Sequence, residues 1–358
     1  MLNNTTPDNH QAILQGFIAQ TDGRYLLELE SLPPQQIKEL IAQSQLTALI
    51  IPTRFGGLGM PLTDALEIVH FIAGVCPSAA LMLCMHYHVV STVIAYPQDF
   101  PFAERLLSDI AENGKLMASA FAESTGNQDI FHTSVTASLQ AGDVLAISGS
   151  KKPCTMSHIA DYYAVSIVTE QGTPGIAIIS GEEKGLSRKA FWPGEVLLGT
   201  DSHEIIFDRV QVARTWAVLA EDEAFEMYLN TGLVNFNLFI GAAYTGVCES
   251  LTTYLVPQAL QAPAIGIPLH GILTQCFYSV RGLADKVHPE NLAWLVPRVL
   301  ALRYRIQTSL KEAKSIVFEN IGAQRYLTND AVHYLAKTVD LLAFHPVTRF
   351  GFEQQLNK

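Results

Sequence analysis

Residues 341–350 read LLAFHPVTRF, and His345 is the side chain in this run that could do chemistry. A neutral imidazole accepts a proton near neutral pH, so His345 is a candidate general base. The alternative is that His345 simply packs beside Phe344. His86 and His88, in MHYHVV, lie on a helical pattern and are expected to be structural.

The cysteines do not indicate a metal or a disulfide site. There are five of them, which is an odd number, and no two form a C-x-x-C pair. Disulfides and structural zinc both call for closer or paired spacing. We expect small buried hydrophobic side chains and no metal.

The charge balance argues against nucleic acid as a partner. The net charge is −11, from 23 Lys+Arg against 34 Asp+Glu. Nucleic-acid binding requires a broad positive field, so a small-molecule or protein-borne substrate is expected instead. One helix does carry a basic set that could meet a phosphate group or an acidic carrier protein, although a solvated helix face is the commoner explanation. This set is Arg298, Arg303, Arg305, Lys311 and Lys314.

The chain shows no targeting or membrane signal in its pattern. The start, MLNNTTPDNHQ, has neither a basic region nor an apolar run, which predicts a cytoplasmic protein. The apolar stretch at 232–247 is short for a membrane span and contains Asn235 and Asn237, so it is expected to be a core helix.

The elements that must position these residues fall into three parts. Apolar residues recur at helical spacing up to about residue 113, as in TDALEIVHFIAGV. Between 115 and 212, short apolar runs such as VLAISG and IAIIS alternate with turn residues and predict antiparallel strands. The helical period then returns in long apolar segments that suggest a bundle. We predict an α+β multidomain chain: an N-terminal helical domain (1–114), a central antiparallel β-barrel or sandwich domain (115–220) and a C-terminal helical bundle (221–358).

Local motifs give this organisation a family resemblance. IIPTRFGGLGMPLTDAL at 50–66 resembles the P-x-x-x-G-G-x-G segment of the acyl-CoA dehydrogenase family. ERLLSDIAENGKLMASAFAE resembles the passage into the family's β domain, and LAISGSKKPCTMSHIADYYAVSIV and LLGTDSHEIIFDRVQV resemble two of its strand segments. The order and spacing hold over roughly residues 12–350.

The resemblance implies a flavin enzyme. In this family the flavin ring lies between the β domain and the bundle, and the AMP end of FAD reaches a neighbouring subunit. A homo-oligomer, dimer or tetramer, that oxidises an acyl thioester on CoA or on an acyl carrier protein is therefore expected.

Several residues match the family's flavin contacts and several depart from them. AESTGNQD resembles the family's T-E-x-x-x-G-S-D segment, with Ala122 for threonine and Gln128 for serine. Thr155 would lie near flavin N5, where a hydroxyl can stabilise developing charge. Glu319 would face pyrophosphate unfavourably, so FMN or a supplied reduced flavin is an alternative to FAD. The cofactor-binding residues implied by the resemblance are Phe121, Ala122, Gln128, Cys154, Thr155 and Gly322.

The family's catalytic glutamate is missing. Counting on from Gly322, Pro346 stands at the usual base position, and Phe236 stands at the alternative acidic position. His345 is the nearest remaining catalytic candidate. Three hypotheses follow: α,β-oxidation of an acyl thioester with His345 or water as base, a two-component flavin-dependent monooxygenase, and a non-catalytic subunit retained to bind a partner.

Overall fold

The computed structural model of this chain describes residues 8–123, 133–220, 222–349 and 351–352. Gln128, expected to contact the flavin, and Asp129, matched to the same motif, lie outside the described residues.

Helices make up the first part of the chain. The segment joining α3 to α4 carries the glycine motif. Gly56 has a φ of 82°, a left-handed conformation that favours glycine. A Cβ at Gly57 would overlap the backbone carbonyl of Ile51, so this turn is closed to larger residues. The helices are α1 (Asp8–Gln20), α2 (Leu26–Glu30), α3 (Pro34–Gln43), α4 (Leu62–Val75), α5 (Pro77–Ala95) and α6 (Ala103–Asn113).

The central strands form one eight-stranded sheet with the order β6-β7-β3-β2-β4-β5-β8, and β1 pairs with β4. The expected antiparallel pattern holds for most pairs, but β1 and β2 both pair with β4 in parallel. They occupy one edge of β4 in succession and run in the same direction, so the sheet is mixed. The strands are β1 (Met117–Ala120), β2 (Thr136–Gln140), β3 (Val144–Cys154), β4 (Tyr162–Thr169), β5 (Pro174–Ser180), β6 (Leu186–Lys189), β7 (His203–Ala213) and β8 (Ala217–Leu219).

Long helices build the last part. They are α7 (Asp222–Thr252), α8 (Pro257–Gln261), α9 (Pro263–Ala284), α10 (Leu292–Asn320), α11 (Ala323–Thr328) and α12 (Asp330–Asp340), followed by a 3₁₀ turn, Leu341–Phe344. α5 and α7 pack together at the centre of the molecule. α5 is long and apolar enough to cross a membrane, but 78% of its apolar window is buried inside the protein, as in a core helix. These two helices also form one wall of the cavity described below.

Candidate active site

A cavity of about 370 Å³ lies where the three parts of the chain meet. α5 and α7 supply one wall, β4 and β5 an apolar floor, and the loop 197–202 the opposite side. The residues after the 3₁₀ turn at 341–344 close one end. This volume lies in the range of small-molecule and cofactor sites.

His345 lies in this cavity and is paired with a tyrosine from α7. Its Nε2 is 2.8 Å from the hydroxyl of Tyr244, and the two rings meet edge to face. Burial and, secondarily, the charge of Arg303 lower the pKa of His345 to about 3. Burial also raises the pKa of Tyr244. The pair is therefore neutral throughout the physiological pH range.

Arg303 holds the backbone next to His345. Arg303 is 2% exposed, and its guanidinium donates to the carbonyls of Pro346 (2.8 Å) and Val347. The Tyr304 hydroxyl donates to the same Val347 carbonyl at 2.8 Å. The expected basic set on α10 therefore does not include Arg303 as a surface residue, because Arg303 points inward and donates to two carbonyls of the C-terminal backbone.

The family carries its catalytic base at one of two positions, and both positions belong to the cavity lining here. Pro346 follows His345, and Phe236 packs edge to face on the His345 ring at 5.8 Å. Among carboxylates in the described part of the chain, Glu123 alone lines the cavity. The acidic groups expected from the family are thus replaced by apolar side chains.

Glu123 is not a free base. It forms an ion pair of 2.5 Å with Lys151, whose side chain is fully buried. Burial acts to raise the pKa of Glu123, but hydrogen bonds from Lys151 and Ser134 outweigh it, and the pKa is lowered. Lys151 also donates to Thr133 and Ser166 at 2.8 Å. This cluster fixes the backbone on which Phe121 and Ala122 reach the cavity.

Thr155 faces the cavity within a row of three hydroxyls. Its Oγ1 lies 2.9 Å from the Oγ of Ser202, which lies 2.9 Å from the Oγ1 of Thr200. Thr200 donates to the carbonyl of Leu197 at 2.7 Å. We refer to Thr155, Ser202 and Thr200 as the hydroxyl row.

The structure brings Phe121, Ala122, Thr155 and His345 together but leaves Cys154 and Gly322 away from the cavity. Cys154 is fully buried, on the opposite side of the chain from Thr155, as expected for neighbouring residues at the end of a strand. Burial raises the pKa of its thiol to about 12. Gly322 lies exposed between α10 and α11 with a φ of 83°.

The two histidines of α5 differ, which the sequence analysis missed. His86 is structural: its Nδ1 accepts from the Met117 amide and its Nε2 faces the Thr47 carbonyl at 2.9 Å. His88 lines the cavity, and its buried Nδ1 has no hydrogen-bond partner among the described residues. The i, i+2 spacing, which points two side chains to different faces of a helix, is the signal that could have separated them.

Three possible metal-ligand atoms lie within 4.8 Å of one another, one each from His158, Asp201 and His203. His158 Nδ1 lies 2.8 Å from an Asp201 oxygen. His203 Nδ1 accepts from the Phe191 amide, and its Nε2 lies 3.6 Å from an Asp201 oxygen.

Comparison with known proteins was made by sequence and by structure. No family model matches the chain. Isobutylamine N-hydroxylase of Streptomyces viridifaciens is 28% identical, covering 84% of this chain and 82% of the relative. Cyclohex-1-ene-1-carbonyl-CoA dehydrogenase of Syntrophus aciditrophicus is 23% identical, covering 72% of this chain and 63% of the relative, which is less than two thirds of its length.

The structural match covers nearly the whole chain. FMN-bound TdsC from Paenibacillus sp. A11-2 superposes with a TM-score of 0.81 at 18% identity, over 97% of this chain and 96% of TdsC. The predicted resemblance is confirmed: the chain has the acyl-CoA dehydrogenase fold and is similar in sequence to an enzyme named for that activity, without the glutamate at either base position.

Proposed function

We propose that this protein is a flavin-dependent oxidoreductase. The cavity has features that fit a flavin: a buried nitrogen on His88 without a partner in the described part of the chain, hydroxyls along one side and the flat rings of Phe191 and Trp192 at its wall. Ala122 and Thr155 would contact the cofactor, and Phe121 would support it. FMN and FAD are both compatible with this cavity, and the FMN-bound TdsC relative supports the first.

The geometry supports a monooxygenase best. The observation that carries this choice is the neutral pair of His345 and Tyr244 in a cavity whose one described carboxylate is tied to Lys151. A base with a pKa of about 3 is a poor match for removing a proton from the carbon next to a thioester. When bound, the reduced flavin would supply the electrons that activate dioxygen. The N-hydroxylase relative supports the same choice.

The residues of the chain have definite roles in this proposal. Tyr244 and His345 would hold a proton at Oη or Nε2, next to the reacting atoms. The apolar side chains of Val89, Ile176 and Ile178 would exclude water and hold an apolar substrate. The substrate would therefore be a largely apolar small molecule.

Oxidation of an acyl thioester is the second candidate. The CoA dehydrogenase relative favours it, with His345 or water as base and an acyl group carried on CoA or a carrier protein. A homo-oligomer in the cytoplasm would suit either reaction.

One experiment separates the candidates. The protein is loaded with FMN or FAD, and its visible spectrum is followed without oxygen, first with a panel of acyl thioesters and then with NADH and a flavin reductase. We expect bleaching only with NADH and the reductase, followed on admission of oxygen by hydroxylation of an amine or aromatic test compound. Bleaching by a thioester would establish dehydrogenation instead. Failure to bind flavin in either oxidation state would leave the non-catalytic alternative.

A further inference from the structure

A buried carboxylate at the end of α2 joins three parts of the chain. Glu30 is 6% exposed, and one of its oxygens accepts from the Ser78 amide at 2.8 Å and from the Cys76 thiol at 3.2 Å. The other oxygen accepts from the Ser78 hydroxyl at 2.6 Å and from the Tyr334 hydroxyl on α12. The carboxylate thus satisfies an amide in the first turn of α5, where the helix dipole favours a negative charge. We refer to Glu30, Ser78 and Tyr334 as the Glu30 network.

Tyr334 connects this network to the loop 197–202. Its hydroxyl donates to Glu30 and accepts from the Leu197 amide at 2.9 Å. Burial and the charge of Glu30 raise the pKa of Tyr334, so the hydroxyl keeps the proton that it donates. The buried carboxylate therefore holds, through one tyrosine, the backbone of a loop that lines the cavity.

The backbone of Leu197 has a conformation that such contacts must maintain. Its φ is 60°, in the left-handed region that residues other than glycine rarely adopt. An uncommon conformation persists where the surrounding structure determines it. The Tyr334 hydroxyl fixes the amide of Leu197, and Thr200 fixes its carbonyl through an amide at 3.1 Å and a hydroxyl at 2.7 Å.

The same loop also lies directly against the Glu30 network. A Cβ at Gly199 would be 3.0 Å from the Ser78 hydroxyl, so the backbone of the loop packs closely on the start of α5. On its other side, the loop presents Leu197 and two members of the hydroxyl row, Thr200 and Ser202, to the cavity. The position of this wall therefore depends on groups that lie outside the cavity lining.

We propose that Glu30 and Tyr334 are positioning residues for the flavin ring, and that they act through the loop 197–202. The inference rests on the proposed function, since it takes the occupant of the cavity to be a flavin. Without the Tyr334 hydroxyl, the Leu197 amide loses its acceptor and the loop populates other conformations. The apparent Kd of a ligand rises in proportion as the binding-competent conformation becomes less populated.

The experiment compares Tyr334→Phe with the unmodified protein. In the ligand-free variant, peptides that cover residues 197–202 should exchange hydrogen for deuterium faster, because the Leu197 amide has lost its acceptor. Titration with oxidised FMN should give a Kd about tenfold higher, as a fall of the held conformation to about a tenth would cause. The visible circular dichroism of bound FMN, which depends on the orientation of the ring in the cavity, should change as well.

Glu30→Gln is the second variant, and it serves as the test if Tyr334→Phe folds poorly. It keeps the shape of the side chain, but its amide nitrogen cannot accept from the Tyr334 hydroxyl. Changes of the same kind are therefore expected in exchange, Kd and circular dichroism. Because both substitutions break one network, the Kd of the double variant should stay within about twofold of that of the weaker-binding single variant.

Tyr162→Phe is the matched control. The Tyr162 hydroxyl also donates to a carboxylate, that of Asp109 at 2.5 Å, and Tyr162 lies outside the cavity lining. This variant loses a hydrogen bond of the same type. Its Kd for FMN, its circular dichroism and the exchange of residues 197–202 should nevertheless match those of the unmodified protein.

The outcomes separate this inference from the proposed function. If the unmodified protein binds neither FMN nor FAD, the proposed function fails and the inference fails with it. If flavin binds and both variants leave the exchange, the Kd and the circular dichroism unchanged, only the inference is overturned. Faster exchange with an unchanged Kd and circular dichroism would show that the Glu30 network holds the loop without positioning the ring, which overturns the inference as well.

Discussion

Tyr244 lies 101 residues before His345 in the chain, yet its hydroxyl is the partner of the imidazole. Tyr244 is fully buried, so the hydroxyl cannot be replaced by water without rearrangement. With both pKa values displaced by burial, the proton between the two groups is shared by neutral partners. Their chemistry is the donation or acceptance of a hydrogen bond rather than strong base catalysis.

Tyr244→Phe removes this hydrogen bond and keeps the ring. We expect turnover to fall by roughly tenfold or more, because an oriented proton donor or acceptor is worth that much or more. Flavin affinity should stay the same, since the ring packing is retained. Steady-state kinetics and a flavin titration check both parts.

The control for this prediction is Tyr96→Phe, which removes a buried hydroxyl that pairs with Thr231 outside the cavity. Its turnover should match that of the unmodified protein. Unchanged turnover in Tyr244→Phe would show that His345 acts alone or only packs.

Sequence reasoning found part of this site and missed the rest for a physical reason. His345, Pro346 and Phe236 were located because motifs fix their distance along the chain from recognisable glycines and turns. Tyr244 and His88 sit in no motif, and Ser202 lies in a motif that gave it no role; the signal of all three is a hydrogen bond or a missing one. That signal exists only after distant elements have packed together.

At the scale of elements, α10 positions the C-terminal residues of the cavity. From its place on this helix, Arg303 donates to the consecutive carbonyls of Pro346 and Val347. A planar guanidinium can make both hydrogen bonds, and a lysine ammonium cannot make them with the same geometry. Arg303 therefore has two effects on His345, one through backbone position and one through its charge.

Arg303→Lys and Arg303→Met separate these effects. Both should lower turnover, because both lose the paired hydrogen bonds to the backbone. Only Arg303→Met removes the charge that helps to lower the pKa of His345, so only in this variant should the pKa rise and a decline in activity at acid pH move toward neutrality. The pH dependence of turnover, followed from pH 8 down to about pH 4, distinguishes them.

Glu312→Met, which removes an exposed charge from the same helix, should change neither turnover nor its pH dependence. Identical pH profiles for Arg303→Lys and Arg303→Met would show that the charge of Arg303 does not influence His345.

The elements themselves were largely predictable. Apolar residues that recur about every 3.6 positions identified the helices, and short apolar runs between turn residues identified the strands. Both patterns are local in the sequence. The parallel pairing of β1 and β2 with β4 was not predictable, since a strand's sequence does not reveal the direction of its neighbour.

At the scale of the whole molecule, buried neutral histidines tie stability to pH. Burial lowers the pKa of His86 to about 4 and of His88 to about 3. Each would have a pKa of about 6.5 in the unfolded chain. Between these values the unfolded state binds protons that the folded state does not, so the free energy of unfolding decreases as the pH falls below about 6.5.

We expect urea unfolding to show this loss between pH 7.0 and 5.5, where most carboxylates remain ionised. The slope should approach about 1.4 kcal/mol per pH unit for each such histidine at the acid end of the range. His270→Gln, at an exposed position, should leave the slope unchanged. A free energy of unfolding that is independent of pH in this range would contradict the burial of these rings as neutral groups.

The three tryptophans are distributed so that intrinsic fluorescence reports on the cavity. Trp192 lines it, Trp216 is stacked between Phe102 and Tyr162, and Trp294 is 45% exposed beneath the guanidinium of Arg298. Emission from Trp192 will thus respond to any ring that enters the cavity, while the other two indoles sense the sheet edge and the solvent. The protein carries its own optical probe for ligands that have no colour.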